Sequence, residues 1–113
     1  MSLVYKILPR AAWEAAQAAG VYRGSALDLR DGYIHLSSPA QVGETARRHF
    51  AGQEDLLVLA IEAGRLGPAL RWEASRGGDL FPHLYGDLDP RMAASVTPVS
   101  LGADGVPVLE IGA

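Results

Sequence analysis

Leu3 to Leu8 alternates across two faces and is rich in β-formers, which predicts a first strand. Pro9 then opens an alanine-rich stretch, about Arg10 to Ala19, read as a helix with Trp13 and Ala16 on its buried side and Gly20 as its stop. The following segment, Gly20 to Gly32, has no such period. It is read as a long polar connection holding Tyr22, Arg23, Ser25 and Asp28, of the kind that is either functional or tied down by side chains. Asp28 is read there as an Asx turn in preference to a carboxylate that orients a histidine.

From Asp31 to Gln41 the pattern changes from strand to helix within a few residues. Alternation puts Tyr33, His35 and Ser37 on one face and Ile34 and Leu36 on the other. Ser38 reads as an N-cap, Pro39 as the first helical residue and Gln41 as the far member of a capping box. The second helix is expected over about Pro39 to Phe50, with Val42, Ala46, His49 and Phe50 as its apolar stripe and Gly52 as its end. Leu56 to Glu62 is a continuous apolar run, the mark of a central strand covered on both faces.

The second half is predicted as strands. In Leu70 to Ala74, Leu70 and Trp72 point inward while Arg71 and Glu73 take the opposite face. A Gly77-Gly78-Asp79 turn leads to Phe81-Pro82-His83-Leu84-Tyr85-Gly86, and Ala93 to Leu101 and Val106 to Ile111 read as two closing strands around Ala103-Asp104-Gly105. Two early helices followed by strands predict a single α+β domain over residues 1–113.

Composition narrows the function classes. The net charge is −3, so the chain lacks the basic footprint of a nucleic-acid binder. There is no cysteine, which removes disulfides, thiolate catalysis and cysteine zinc sites. The longest apolar run, Leu56 to Ile61, is too short for a bilayer span, and Met1 to Lys6 lacks the form of a signal peptide; a cytoplasmic location is the expectation. GxGxxG and P-loop motifs are missing, as is a GxSxG elbow that would make Ser37 or Ser38 a nucleophile.

What remains is a set of polar residues on otherwise apolar strands. His35, Glu73 and His83 are the candidate catalytic residues, since two imidazoles and a carboxylate supply a base, an acid and a charge stabiliser if they converge. Tyr33, Ser37, Arg71, Phe81 and Tyr85 are the candidate substrate-binding residues around them. His49 is read instead as a partly buried structural histidine. Two histidines and a carboxylate also compose a metal triad, but HExxH and HxH are absent, so no metal ligand is assigned.

Several of these segments together resemble the small bacterial proteins grouped as domain of unknown function 952. The marks are Tyr5-Lys6-Ile7, Trp13, Gly24 to Asp28, Asp31 to Ser37, Gln41, Thr45, Phe50, Leu70 to Glu73 and Phe81 to Gly86. That family is thought similar in fold to the ADP-ribosyltransferases, including the RNA 2′-phosphotransferases that use NAD, which implies a split antiparallel-rich sheet. By that resemblance His35 binds the nicotinamide ribose, Tyr85 or Phe81 stacks on the nicotinamide ring, and Glu73 or His83 stabilises the oxocarbenium ion. The implied function is a transferase or hydrolase acting on NAD or a nucleotide-like phosphorylated compound, with NAD as substrate. The competing reading is a non-catalytic module that binds a small ligand or a protein through the same cleft. The chain departs from many of those transferases in carrying Leu36 after the strand histidine and in placing Glu73 before Tyr85.

Overall fold

The alternation at the N-terminus and the stop at Gly20 are where the sequence expects them. Strand β1 (Leu3–Pro9) runs directly into helix α1 (Arg10–Ala19). Gly20 closes the helix at φ 78°, a left-handed conformation that glycine adopts at no steric cost, and its N–H donates to Ala16 O at 2.8 Å. This computed structural model describes residues 2–109.

Two antiparallel sheets carry the fold. The larger has the order β1-β3-β6-β7, with β3 (Leu56–Glu62) between β1 and β6 (Ala93–Leu101), and β7 (Pro107–Val108) at the edge. The smaller has the order β2-β5-β4, built from β2 (Ile34–His35), β5 (Leu80–Leu84) and β4 (Leu70–Ala74). Ser37 stitches the two together by a bridge to Tyr5, with Tyr5 N–H donating to Ser37 O at 2.8 Å and Ser37 N–H to Tyr5 O at 2.9 Å. The class is α+β, as expected.

The large sheet has a core on each face, which is why Leu56 to Ile61 is buried without alternation. On one face Val4 and Leu8 of β1 and Leu57, Leu59 and Ile61 of β3 pack with Trp13 and Ala16 of α1 and with Ile34, Leu36 and Leu84 of the small sheet. On the other, Tyr5, Ile7, Leu56, Val58 and Ala60 pack on Val42 and Ala46 of helix α3 (Val42–His49). Each buried Leu or Ile there contributes about 1.5–3 kcal/mol. The small sheet is therefore fixed by its inner face, and its outer face is left for polar residues. Among the described residues, no helix is long and apolar enough to cross a membrane.

Five expectations are corrected. The Gly20–Gly32 connection contains a helix, α2 (Ala26–Asp31), whose one buried residue is Asp28 and whose leucines, Leu27 and Leu29, are exposed. Helix α3 begins at Val42, later than Pro39, because residues 39–41 form a turn. Only half of the expected capping box exists there: Gln41 Oε1 accepts from Ser38 N–H at 3.0 Å, and no side-chain cap bond is made. His49 is exposed, because Phe50 takes the last inward position and α3 ends. Trp72 is 45% exposed, because β4 is the edge strand and its inner face extends beyond the core. The predicted strand Val106 to Ile111 is seen as Pro107–Val108, and its residues after 109 lie outside the described residues.

Candidate functional site

Pairing in the small sheet sets the site. His35 of β2 is the register partner of His83 of β5, and His83 is in turn the partner of Arg71 of β4. Alternation adds Tyr85 beyond His83 and Glu73 beyond Arg71, while Tyr33 precedes β2 in phase with His35. The Tyr33 ring closes the group. Its centroid lies 4.1 Å from that of His83 in a stacked arrangement, 4.6 Å from His35 and 5.2 Å from Tyr85. The two imidazole centroids are 5.6 Å apart, edge to face. We refer to this group as the histidine cup.

Each histidine is held by carboxylates. His83 Nδ1 lies 2.9 Å from Glu73 Oε1, which also accepts from Tyr85 Oη at 2.7 Å. The Tyr85 and His83 hydrogen bonds lower the Glu73 pKa, and the same bond to the carboxylate raises that of Tyr85. Arg71 lies over the other aromatic wall, its Cζ 4.8 Å from the Tyr85 ring centroid. His35 Nδ1 lies 2.6 Å from Asp28 Oδ1, and its Nε2 lies 3.0 Å from Asp31 Oδ2 at the end of α2. Asp31 is held below its ordinary pKa, first by its hydrogen bond from Arg30.

Among the described residues, Asp28 is the acid that gathers the most hydrogen-bond partners from different elements. Its Oδ2 accepts from Ser25 N–H and Lys6 Nζ, both at 2.8 Å, and its Oδ1 from His35 N–H at 3.1 Å as well as facing the His35 ring. Burial alone pushes its pKa up, but the His35 hydrogen bond and the Lys6 charge reverse this and hold it well below the usual carboxylate range. Lys6 is pulled below its ordinary value by burial, against the opposing pull of Asp28. Asp28 therefore orients a histidine after all and caps its own helix as well, since Ser25 Oγ accepts from Asp28 N–H at 3.2 Å in a reciprocal capping box.

Gly24 makes this geometry possible. It sits at φ +115°, and a Cβ there would stand 2.6 Å from Asp28 Cβ. Gly24→Ala is expected to cost about 1–3 kcal/mol through strain at this position. The check is the urea midpoint, which should fall while the slope of the transition stays constant.

The sequence-selected residues do not all meet. Tyr33, His35, Arg71, Glu73, His83 and Tyr85 form the cup. Phe81 is in phase with His83 but buried, as the register partner of Glu73. Ser37 is buried where the chain leaves the small sheet, its Oγ 2.9 Å from Thr45 Oγ1, so it serves the junction with α3. Lys6 was missed by sequence reasoning, as was Asp31. The signal for Lys6 was its phase, since Val4, Lys6 and Leu8 share one face and a lysine on an inward row needs a buried partner. A separate hollow lined by Gln17, Gly20, Asp89, Pro90 and Arg91 shares no residue with the cup, and its Asp89 and Arg91 pair with each other.

Comparison with known proteins finds relatives of this chain. The model of a family described as protein of unknown function DUF952 matches residues 7–96. The chain is similar to the crystal structure of protein CC0527 from Caulobacter crescentus, with 54% identity, a TM-score of 0.92 and coverage of 94% of this chain and 93% of that one. Its similarity to the solution NMR structure of CC0527 has a TM-score of 0.85 at 54% identity, covering 93% of this chain and 90% of that one. No curated protein matches it.

Proposed function

The chain belongs to the DUF952 family, and we propose that its histidine cup is the reaction centre of a small transferase or hydrolase that cleaves the N-glycosidic bond of NAD or a related nucleotide. The observation that carries this reading is the pairing of His35 with His83 across β2 and β5, each ring with its Nδ1 on a carboxylate. A carboxylate on Nδ1 fixes the orientation of an imidazole; at His83 this leaves Nε2 to meet a substrate, whereas at His35 a substrate hydroxyl joins or displaces the contact of Nε2 with Asp31.

The cup's charge favours a reaction that develops positive charge. Glu73 and Asp31 flank the imidazoles as carboxylates, with Arg71 beside Glu73 and Arg30 hydrogen-bonded to Asp31. As the C1′–N bond breaks, its electron pair leaves with the nitrogen base and the ribosyl carbon becomes oxocarbenium-like, which carboxylates stabilise. Tyr33 and Tyr85 offer faces for a flat ring, the Asp31–His35 pair offers an acceptor and a donor to ribose hydroxyls, and Arg71 suits a phosphate. His83 Nε2 takes the proton from the attacking water or acceptor hydroxyl, with Glu73 supporting the charge the ring gains. The likeness to ADP-ribosyltransferases is part of this proposal. Glu73 precedes Tyr85 in sequence, yet the antiparallel pairing of β4 and β5 brings Glu73 Oε1 within 2.7 Å of the Tyr85 hydroxyl, so sequence order is no obstacle.

Thermal-shift measurements against NAD, ADP-ribose and other nucleotides test the substrate class. Wild type should be stabilised by about 2.7 kcal/mol at a ligand concentration one hundred times Kd, and His35→Ala should lose that gain. No shift with wild type, or an equal shift with His35→Ala, removes NAD from the reading.

One observation favours a second reading. Both nitrogens of His35 already face carboxylates, and His83 has a side chain only 4% exposed. A pre-satisfied cup of this kind suits a non-catalytic module that binds a small ligand at its rim. Under that reading ligands shift the melting temperature of wild type without being converted.

A further inference from the structure

We propose that Lys6 and Asp28 form a positioning unit for His35, fixing its backbone and ring together so that Nδ1 is the anchored nitrogen and Nε2 is turned toward Asp31, 3.0 Å away. This rests on His35 acting in the cup.

The argument starts from strand geometry. In an antiparallel ladder, successive residues direct their N–H and C=O groups to opposite sides. Leu36 N–H donates to Pro82 O at 3.0 Å, and Ile34 pairs with Leu84, so these two residues of the β2 segment face β5. His35 then directs its N–H and C=O away from β5, to the open side of an edge strand two residues long. Among the described residues, no strand pairs with His35 on that side; β1 meets the chain there only at Ser37. Instead, His35 N–H donates to Asp28 Oδ1 at 3.1 Å and His35 O accepts from Lys6 Nζ at 3.1 Å. The same Asp28 oxygen faces the ring at Nδ1, 2.6 Å away. One ion pair thus holds the N–H, the C=O and the ring of a single residue.

The pair's own burial supports a positioning role. Its side chains are 8% and 1% exposed for Lys6 and Asp28. A buried ion pair is commonly no more stabilising than apolar residues of similar size, so its value lies in the geometry it enforces. The capping of α2 does not need Lys6, since Ser25 and Asp28 complete that box between them. Gly24 leaves room for the carboxylate, and the bridge between Tyr5 and Ser37 brings β1 beside β2 so that Lys6 reaches across.

Nitrogen-15 NMR of the histidine side chains tests this without any ligand, so its outcome is separate from whether the cup binds or converts NAD. In wild type the His35 ring should carry a proton on Nδ1, far downfield and protected from exchange. A neutral ring protonated only on Nε2 would overturn the proposal, and this measurement needs no variant. In Lys6→Met, with amide dispersion intact, the Nδ1 proton should exchange at least about tenfold faster as the carboxylate loses its anchor. The His83 ring signals should stay where they are. An unchanged His35 resonance and exchange rate in that variant would assign Lys6 to stability alone and overturn its positioning role.

Discussion

Replacing Asp28 by asparagine is expected to lower the melting temperature by roughly 10–20 °C. The substitution is nearly isosteric, so the loss comes from charge. Lys6 is left buried without its counter-ion, and removing one partner of a buried pair costs about 3–5 kcal/mol out of a total stability of about 5–15 kcal/mol for a domain of this kind. Asparagine also cannot accept all the hydrogen bonds that converge on the carboxylate from Ser25, Lys6 and His35. Lys6→Met made in the Asp28→Asn background should recover part of the loss, because the stranded charge is then gone. A loss below about 1 kcal/mol in Asp28→Asn would mean that the buried pair does not hold this corner of the fold.

The same carboxylate sets an acid limit. Its folded-state pKa lies below the ordinary 3.8, so the stability it contributes is complete above that value and drains away as pH falls beneath it. Wild type should therefore lose stability steeply below about pH 4, and Asp28→Asn should show a shallower acid limb over that range. Urea titrations at a series of pH values read this directly; parallel limbs for the two proteins would contradict it.

His83→Gln is expected to reduce turnover of the proposed substrate by about 10²–10⁴-fold, the usual contribution of a positioned acid–base group. Glutamine keeps a polar side chain in a place where alanine would leave a hole beneath Tyr33, so the fold should survive. Glu73→Gln should reduce turnover by a smaller factor while leaving the melting temperature nearly unchanged, because Glu73 is partly exposed and its hydrogen bond from Tyr85 is retained. The useful comparison is turnover against thermal stability for both variants. A fall in turnover that tracks a fall in melting temperature would assign His83 to packing.

Much of the scaffold was legible because its elements are regular. The alternation of β1, the alanine helix with its glycine stop and the unbroken apolar β3 each follow one rule without competition. The convergence of His35, Glu73 and His83 was legible for a related reason: side chains in phase on short strands joined by a glycine-rich turn share a face when the strands pair. Helix α2 was not legible, since it inverts the usual pattern by burying an aspartate and exposing two leucines. Trp72 misled because alternation gives the face and not how far the core extends beneath it. Ser37 fell out of the row because β2 ends at His35 and the chain then turns to pair with Tyr5. Lys6 and Asp31 went unnoticed because each acts by contact with a residue distant in sequence or on a different element.

The measurement that bears most directly on the central claim is incubation of purified wild type and His83→Gln with NAD, with nicotinamide and ADP-ribose quantified by chromatography. The expected result is stoichiometric release of nicotinamide by wild type, with ADP-ribose or its adduct as the other product, and little release by the variant. Intact NAD after prolonged incubation with a wild-type protein that nevertheless binds it would contradict the claim that the histidine cup is a reaction centre.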